Sequence, residues 1–175
     1  ISVTGVQTCA LPISSPVGID EARGEPARAK VSPPPARPER DLRSPDMIIN
    51  GILNPHVLAL LARVRHTNTV VIADRGFPSW PGVETVDLSL VDDIPTVLQV
   101  LAAVRGNHVI TAAYQAEEFL RANGPATRRR FAQGLTGVGL THESHAALKR
   151  RVPGAIGIIR TGDTVPYANL VLVSG

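Results

Sequence analysis

From residue 47 onward the apolar positions recur in two rhythms. Asn54-Pro55 marks a helix start, with asparagine as N-cap and proline at the first helical position, and Val57, Leu58, Leu61 and Val64 follow at helical spacing. Val70-Val-Ile-Ala73 is a short β-branched run that Gly76 and Pro78 bound, which reads as a fully buried strand ending at Asp74. Val83 to Leu90 alternates, with Val86, Leu88 and Leu90 on one face, and reads as a second strand. Asp92-Asp-Ile-Pro95 opens a helix with Val97, Leu98 and Leu101 inward and Gln99 at the surface. His108 to Ala113 reads as a third strand. Tyr114 to Asn123 reads as a helix with Phe119 and Leu120 inward and Glu117 and Glu118 outward, and a basic helix runs from Gly124-Pro125 to Gln133. Gly134 to Leu140 reads as a strand, His142 to Arg151 as a helix, and Ala155 to Ile159 and Leu170 to Val173 as the last strands. Strands alternating with helices predict an α/β fold, a three-layer α/β/α arrangement with a largely parallel central sheet of about six strands.

Residues 1–46 break both rhythms. Pro16, Pro26, Pro33, Pro34, Pro35, Pro38 and Pro45 punctuate mixed charge with no apolar period. Such a segment cannot bury enough surface to offset the entropy of ordering, so it reads as disordered. The stretch at 1–14 resembles a translated sequencing adapter, which marks 1–46 as non-native. It lacks the basic start and apolar length of a signal peptide. Met47 is the expected translation start, and residues 47–175 have the length of one domain.

Charge and cysteine usage narrow the classes. Residues 1–46 hold six basic and six acidic residues, so the formal net charge of +3 belongs to the domain. Arg128-Arg129-Arg130 has no interleaved aromatics and reads as a solvated helix face, so no nucleic acid partner is expected. No apolar run is long enough for a membrane helix, and none is expected. The single cysteine, Cys9, lies outside the domain, which suits a reducing cytoplasm.

The candidate chemistry is a set of polar side chains near strand ends. In an open α/β sheet ligands sit beyond the carboxyl ends of strands, which makes Asp74 a candidate; the alternative is an aspartate that caps the following turn. His66 follows the first helix, where the dipole favours a protonated imidazole; the alternative is an exposed histidine that complements the dipole. His145 and Lys149 share a helix face at i and i+4. His142 and His145 are spaced to share an ion, but no third ligand is placed by the pattern, so no metal is expected. Gly134-Leu-Thr-Gly-Val-Gly139 follows a helix and precedes a strand, the wrong order for a dinucleotide site. The remaining histidines, aspartate, lysine, tyrosine and asparagine suit hydrogen bonding to a polyol and proton transfer.

Seven segments together resemble the ribose pyranase and fucose mutarotase (RbsD/FucU) family over residues 47–175. They are Gly51-Ile-Leu-Asn54, His66-Thr-Asn-Thr, Asp74 with Gly76 and Pro78, Ile94-Pro-Thr-Val-Leu-Gln-Val100, Ala116-Glu-Glu118, Ile159-Arg-Thr-Gly162 and Pro166-Tyr-Ala-Asn169. The last segment and the turn after Asp74 look closer to the ribose branch. The resemblance implies a cofactor-independent D-ribose pyranase in the cytoplasm; the alternatives are an L-fucose-type mutarotase or a non-catalytic sugar-binding module. It implies His66 as catalytic proton donor, and Asp74, His145, Lys149, Tyr167, the backbone of Ala168 and Asn169 as the sugar-binding set. It also implies a homo-oligomer, a ring-shaped decamer, in which a neighbouring subunit completes the pocket. Some members carry Thr-His-Glu, which matches Thr141-His142-Glu143, whereas counting back from Tyr167 without gaps selects His145.

Overall fold

The computed structural model describes residues 51–175; the expectations of disorder and non-native origin for residues 1–46 lie outside them. The chain runs α1 (Pro55–Leu61), β1 (Thr69–Ala73), β2 (Thr85–Asp87), α2 (Val97–Asn107), β3 (Ile110–Ala116), α3 (Glu118–Ala122), α4 (Pro125–Gly134), β4 (Gly139–Glu143), α5 (His145–Arg151), a 3-10 turn (Val152–Gly154), β5 (Gly157–Arg160) and β6 (Leu170–Ser174). The six strands form one sheet in the order β2-β5-β1-β6-β3-β4. Neighbours pair in parallel except β6, which is antiparallel to both β1 and β3. The expected α/β sheet of six strands, largely parallel, is the observed one.

Both sheet faces are buried, because successive strand side chains point to opposite sides. Val70 and Ile72 of β1 join Ile159, Leu170 and Leu172 beneath α1, α2, α3 and α4, through Leu60, Leu101, Phe119 and Phe131. Val71 and Ala73 face the other way, with Ile158 and Val171, against Phe77, Leu148 of α5 and Val152. The result is helix, sheet and helix in layers around the central strands β1 and β6.

Local pattern and observed element part company where a long-range ladder or a specific cap decides. Tyr114, Gln115 and Ala116 read as helix but extend β3, since Gln115 pairs with Leu170 and Ala116 with Glu143. Leu120, expected inward, is 38% exposed. The second strand is only Thr85–Asp87; beyond it the Asp87 carboxylate takes the Ser89 N–H at 2.9 Å and turns the chain, which leaves Leu90 77% exposed. α2 begins at Val97, not at Asp92, because Thr96 and Gln99 form a reciprocal capping box, so Gln99 is a cap rather than an idle surface residue. Gly134 ends α4, and the strand expected at 134–140 is β4, at Gly139–Glu143. Ser144 caps α5, which therefore starts at His145 and leaves His142 on β4. β5 runs Gly157–Arg160, two residues later than expected at its start.

Candidate active site

The site is built at the carboxyl end of β1. Asn169 immediately precedes β6, whose first residue, Leu170, lies beside Ile72 in the antiparallel ladder. That register brings Asn169 against Asp74. The Asp74 N–H donates to Asn169 Oδ1 at 2.8 Å, and Asn169 Nδ2 donates to Asp74 Oδ2 at 2.9 Å. Gly76 N–H donates to Asp74 Oδ1 at 3.0 Å. Asp74 is thus both a turn cap and a member of a cluster. Burial pushes its carboxyl above the ordinary 3.8, and the bonds from Asn169 and Gly76 pull back.

The loop between β5 and β6 is fixed by buried groups. Thr161 Oγ1 donates to the Ala73 carbonyl at 2.8 Å. Gly162 sits where a Cβ would collide with the Val91 and Ile94 carbonyls. The buried Asp163 carboxylate accepts the N–H of Val97 and of Val165, each at 2.8 Å, which ties this loop to the start of α2. These contacts hold Tyr167 at φ 58°, in the left-handed region. Ala168 is fully buried, and its N–H donates to Val165 O at 3.3 Å.

His145 arrives from the other direction, as the first residue of α5 past the carboxyl end of β4. Its ring meets that of Tyr167 edge-on, with centroids 5.1 Å apart and planes at 85°. Its Nε2 is buried and has no hydrogen-bond partner among the described residues. Its backbone N–H donates to both oxygens of Glu118, at 2.9 and 3.1 Å. Desolvation, then the Lys149 charge one turn along the helix, holds its imidazole below the ordinary 6.5, while Glu118 and Asp74 oppose that shift. Asp74 and His145 are therefore both biased toward their uncharged forms, the state in which a carboxyl donates and an imidazole accepts a proton.

Asp74, His145, Lys149, Tyr167 and Asn169 come together; His66 does not join them. It is exposed and precedes β1, and Thr67 N–H bonds the carbonyl of Ser174 at the far end of β6. Thr69 to Ala73 spans about 13 Å of strand at ~3.3 Å per residue, so His66 and Asp74 occupy opposite ends of the sheet. Nor does His66 complement the α1 dipole. The helix stops at Leu61, and Arg65 Nη1 donates to the Ala62 and Val64 carbonyls at 2.7 and 2.9 Å. His142 also lies apart. It lines a groove of about 270 Å³ with Gln115, Phe119 and Phe131, on the sheet face away from α5. Among the described residues no three histidines, cysteines or acids are grouped to hold a metal, and no helix is long and apolar enough to cross a membrane. Sequence reasoning missed Glu118, read as outward, and Asp163, which it did not single out; their partners lie 27 and 66 positions away.

Comparison with known proteins fits this geometry. The RbsD / FucU transport protein family matches residues 47–175. A D-ribose pyranase of Laribacter hongkongensis is 39% identical over 126 residues, covering 72% of this chain and 95% of that protein. A D-ribose pyranase of Bacillus cereus is 37% identical, with the same coverage. Bacillus subtilis RbsD complexed with D-ribose superposes with a TM-score of 0.69 at 32% identity, over 74% of this chain and 98% of that one. A fucose mutarotase from Streptococcus pneumoniae, solved with L-fucose, shares the fold, with a TM-score of 0.59 at 20% identity over 70% of this chain and 92% of that one.

Proposed function

We propose a function from a plain premise: this chain belongs to the RbsD / FucU family. It is a D-ribose pyranase, an isomerase that interconverts the pyranose and furanose forms of D-ribose without a cofactor. The observation that carries this reading is the convergence of Asp74, His145, Tyr167 and Asn169 at one end of the sheet. Hydrogen-bonding groups of mixed donor and acceptor character suit a polyol, and neither a phosphate cradle nor a grouped metal set occurs among the described residues.

The chemistry is proton transfer alone. The ring oxygen of the pyranose gains a proton, the anomeric hydroxyl loses one, and the ring carbon–oxygen bond breaks to give the open aldehyde. Rotation about the chain lets the C4 hydroxyl add to the carbonyl, and the reverse proton movements close the furanose. Asp74 and Asn169 orient hydroxyls, Tyr167 and the Ala168 backbone hold the ring, and His145 and Lys149 line the pocket. His66 is the proton donor, and its place at the opposite end of the sheet requires that a second copy of the chain supply it. A homo-oligomer is therefore part of this reading, and the cysteine-free sequence of residues 47–175 suits a cytoplasmic setting.

The test is exchange NMR on D-ribose. The protein should accelerate pyranose–furanose exchange, and His66→Ala should lose roughly 10²–10⁴-fold, the usual worth of acid–base assistance. Co-expressing His66→Ala with Asp74→Ala should then restore activity. At equal amounts about a quarter of sites shared between copies carry both native residues, so about a quarter of the native rate should return. No recovery in mixed oligomers would place both residues in one chain's site or outside the chemistry. Acceleration of L-fucose exchange alone would replace ribose as the substrate.

A further inference from the structure

Glu118 stands outside the residues that contact substrate in this reading, yet it touches one of them closely. It is the first residue of α3, just past the end of β3, on the strand neighbouring β4 from which α5 departs. Both its carboxylate oxygens take the backbone N–H of His145, at 2.9 and 3.1 Å. The adjoining Glu117 N–H bonds the Glu143 carbonyl at 2.8 Å, so the two segments are joined twice. Ser144 Oγ caps Ala147 N–H at 3.2 Å. Between them Ser144 and Glu118 engage two of the N–H groups that the first turn of α5 leaves without helical partners. The imidazole above is left with a buried, unpartnered Nε2 beside Tyr167. The aim of that ring depends on where the first turn of α5 is held.

We propose that Glu118 is a positioning residue for the sugar site: from α3 it fixes the start of α5, and so aims the His145 imidazole, and its carboxylate joins Asp74 as a second negative charge beside that residue. This rests on the pyranase reading for its kinetic arm; the rest needs no turnover. Among the described residues three charged groups act on the imidazole. Lys149 on α5 disfavours its protonation, Glu118 on α3 and Asp74 at the end of β1 favour it, and Tyr167 meets it edge-on.

The two roles separate in two substitutions. Glu118→Gln keeps an acceptor oxygen at the same reach but removes the charge; Glu118→Ala removes both. Glu118→Ala should lower kcat/KM for ribose exchange by roughly tenfold to a hundredfold, the cost of misplacing a group that positions the substrate, and Glu118→Gln should restore most of it. The titration midpoint of His145, followed by imidazole NMR and assigned with His145→Asn, should fall in Glu118→Gln, where a residue that merely capped a helix would leave it unmoved. The midpoint needs no turnover, so it tests Glu118 even if native protein leaves ribose exchange unchanged, an outcome that overturns the pyranase reading instead. A native midpoint in Glu118→Gln overturns the electrostatic role. Native kcat/KM in folded Glu118→Ala overturns the positioning role, and failure of both variants to bind ribose while the midpoint is native overturns the proposal entirely.

Discussion

The two ends of the central sheet are built in opposite ways. At the carboxyl end the polar groups are engaged with one another: Asp74 with Asn169 and Gly76, Asp163 with Val97 and Val165, and Glu118 with His145. At the amino end His66 stands exposed on a tight turn closed by Arg65 N–H to Asn68 Oδ1 at 2.8 Å and Asn68 N–H to Arg65 O at 3.0 Å, and tied to the end of β6 by main-chain bonds alone, Thr67 N–H to Ser174 O at 3.0 Å and Ser174 N–H to Asn68 O at 2.9 Å. Each end carries a non-glycine residue in the left-handed region, Thr67 at φ 67° and Tyr167 at φ 58°. Strain of that kind persists where surrounding contacts over-determine it. The carboxyl end is over-determined by a buried network that gathers polar side chains. The amino end is over-determined by a compact turn that presents one imidazole outward. On the proposed function, the first end holds the sugar and the second reaches into another copy of the chain.

The sharpest way to break that contrast is to remove one polar group from each end. Asn169→Ala strips the Asp74 N–H and carboxylate of their buried partners. It should cost about 1–3 kcal/mol, the penalty for stranding buried polar groups, and it should abolish ribose binding. His66→Ala should stay within about 0.5 kcal/mol of native, as surface substitutions do. Urea unfolding of both variants reads the difference. Equal losses would mean that the His66 turn is as interdependent as the site.

A smaller effect sharpens the account of the carboxyl end. The folded carboxyl of Asp74 titrates above its ordinary 3.8, so within that window the folded chain holds more protons than the unfolded one. Stability from this group therefore falls as pH rises through the window. The folded imidazole of His145 titrates below 6.5, so there the folded chain holds fewer protons, and stability is lost as pH drops from 6.5 toward the folded value. Relative to native protein, Asp74→Asn should gain stability on going from about pH 3 to about pH 7, and His145→Gln should gain on going from about pH 7.5 to about pH 5. Thermal unfolding across that range measures both slopes. Parallel curves for native and variant proteins would remove the burial argument at that residue.

How much of this was legible in the sequence depends on whether a residue's partners were near in the chain. The Asn54 cap, strand β1 and strand β6 were plain from local pattern, and so was the position of Asp74 at a strand end. The helix read at Tyr114 failed because β3 is extended by strands at Gly139–Glu143 and Leu170–Ser174, and only the folded ladder brings these alongside. Counting back from Tyr167 selected His145 over His142; what spacing did not show is the Ser144 cap, which ends β4 and starts α5 between the two histidines. The Asp74–Asn169 pair spans 95 positions, so the sequence offered both residues but not their bond. The separation of His66 from Asp74 was legible, because the strand read between them puts the two residues at opposite ends of an extended segment.

The weakest effect asks whether surface charge, rather than buried contact, distinguishes the two ends. Arg63 pairs with Glu84 at the amino end, and Arg75 with Asp92 at the carboxyl end, all with side chains 44–67% exposed. Exposed pairs gain little because water screens the attraction and two long side chains lose freedom, so each double-mutant cycle should give about 0–1 kcal/mol. The two couplings should agree within about 0.5 kcal/mol and shrink in high salt, as screening over a Debye length of ~10 Å or less requires. Arg75 N–H bonds Asp163 O at 3.2 Å and Arg63 N–H bonds Leu60 O at 3.1 Å, but those bonds fix the main chain and leave both guanidinium groups in solvent. A coupling well above 1 kcal/mol at the amino end alone would show that end to be held by charge. Its exposed histidine would then sit on a rigid platform, and the contrast would lie in the kind of force rather than in its strength.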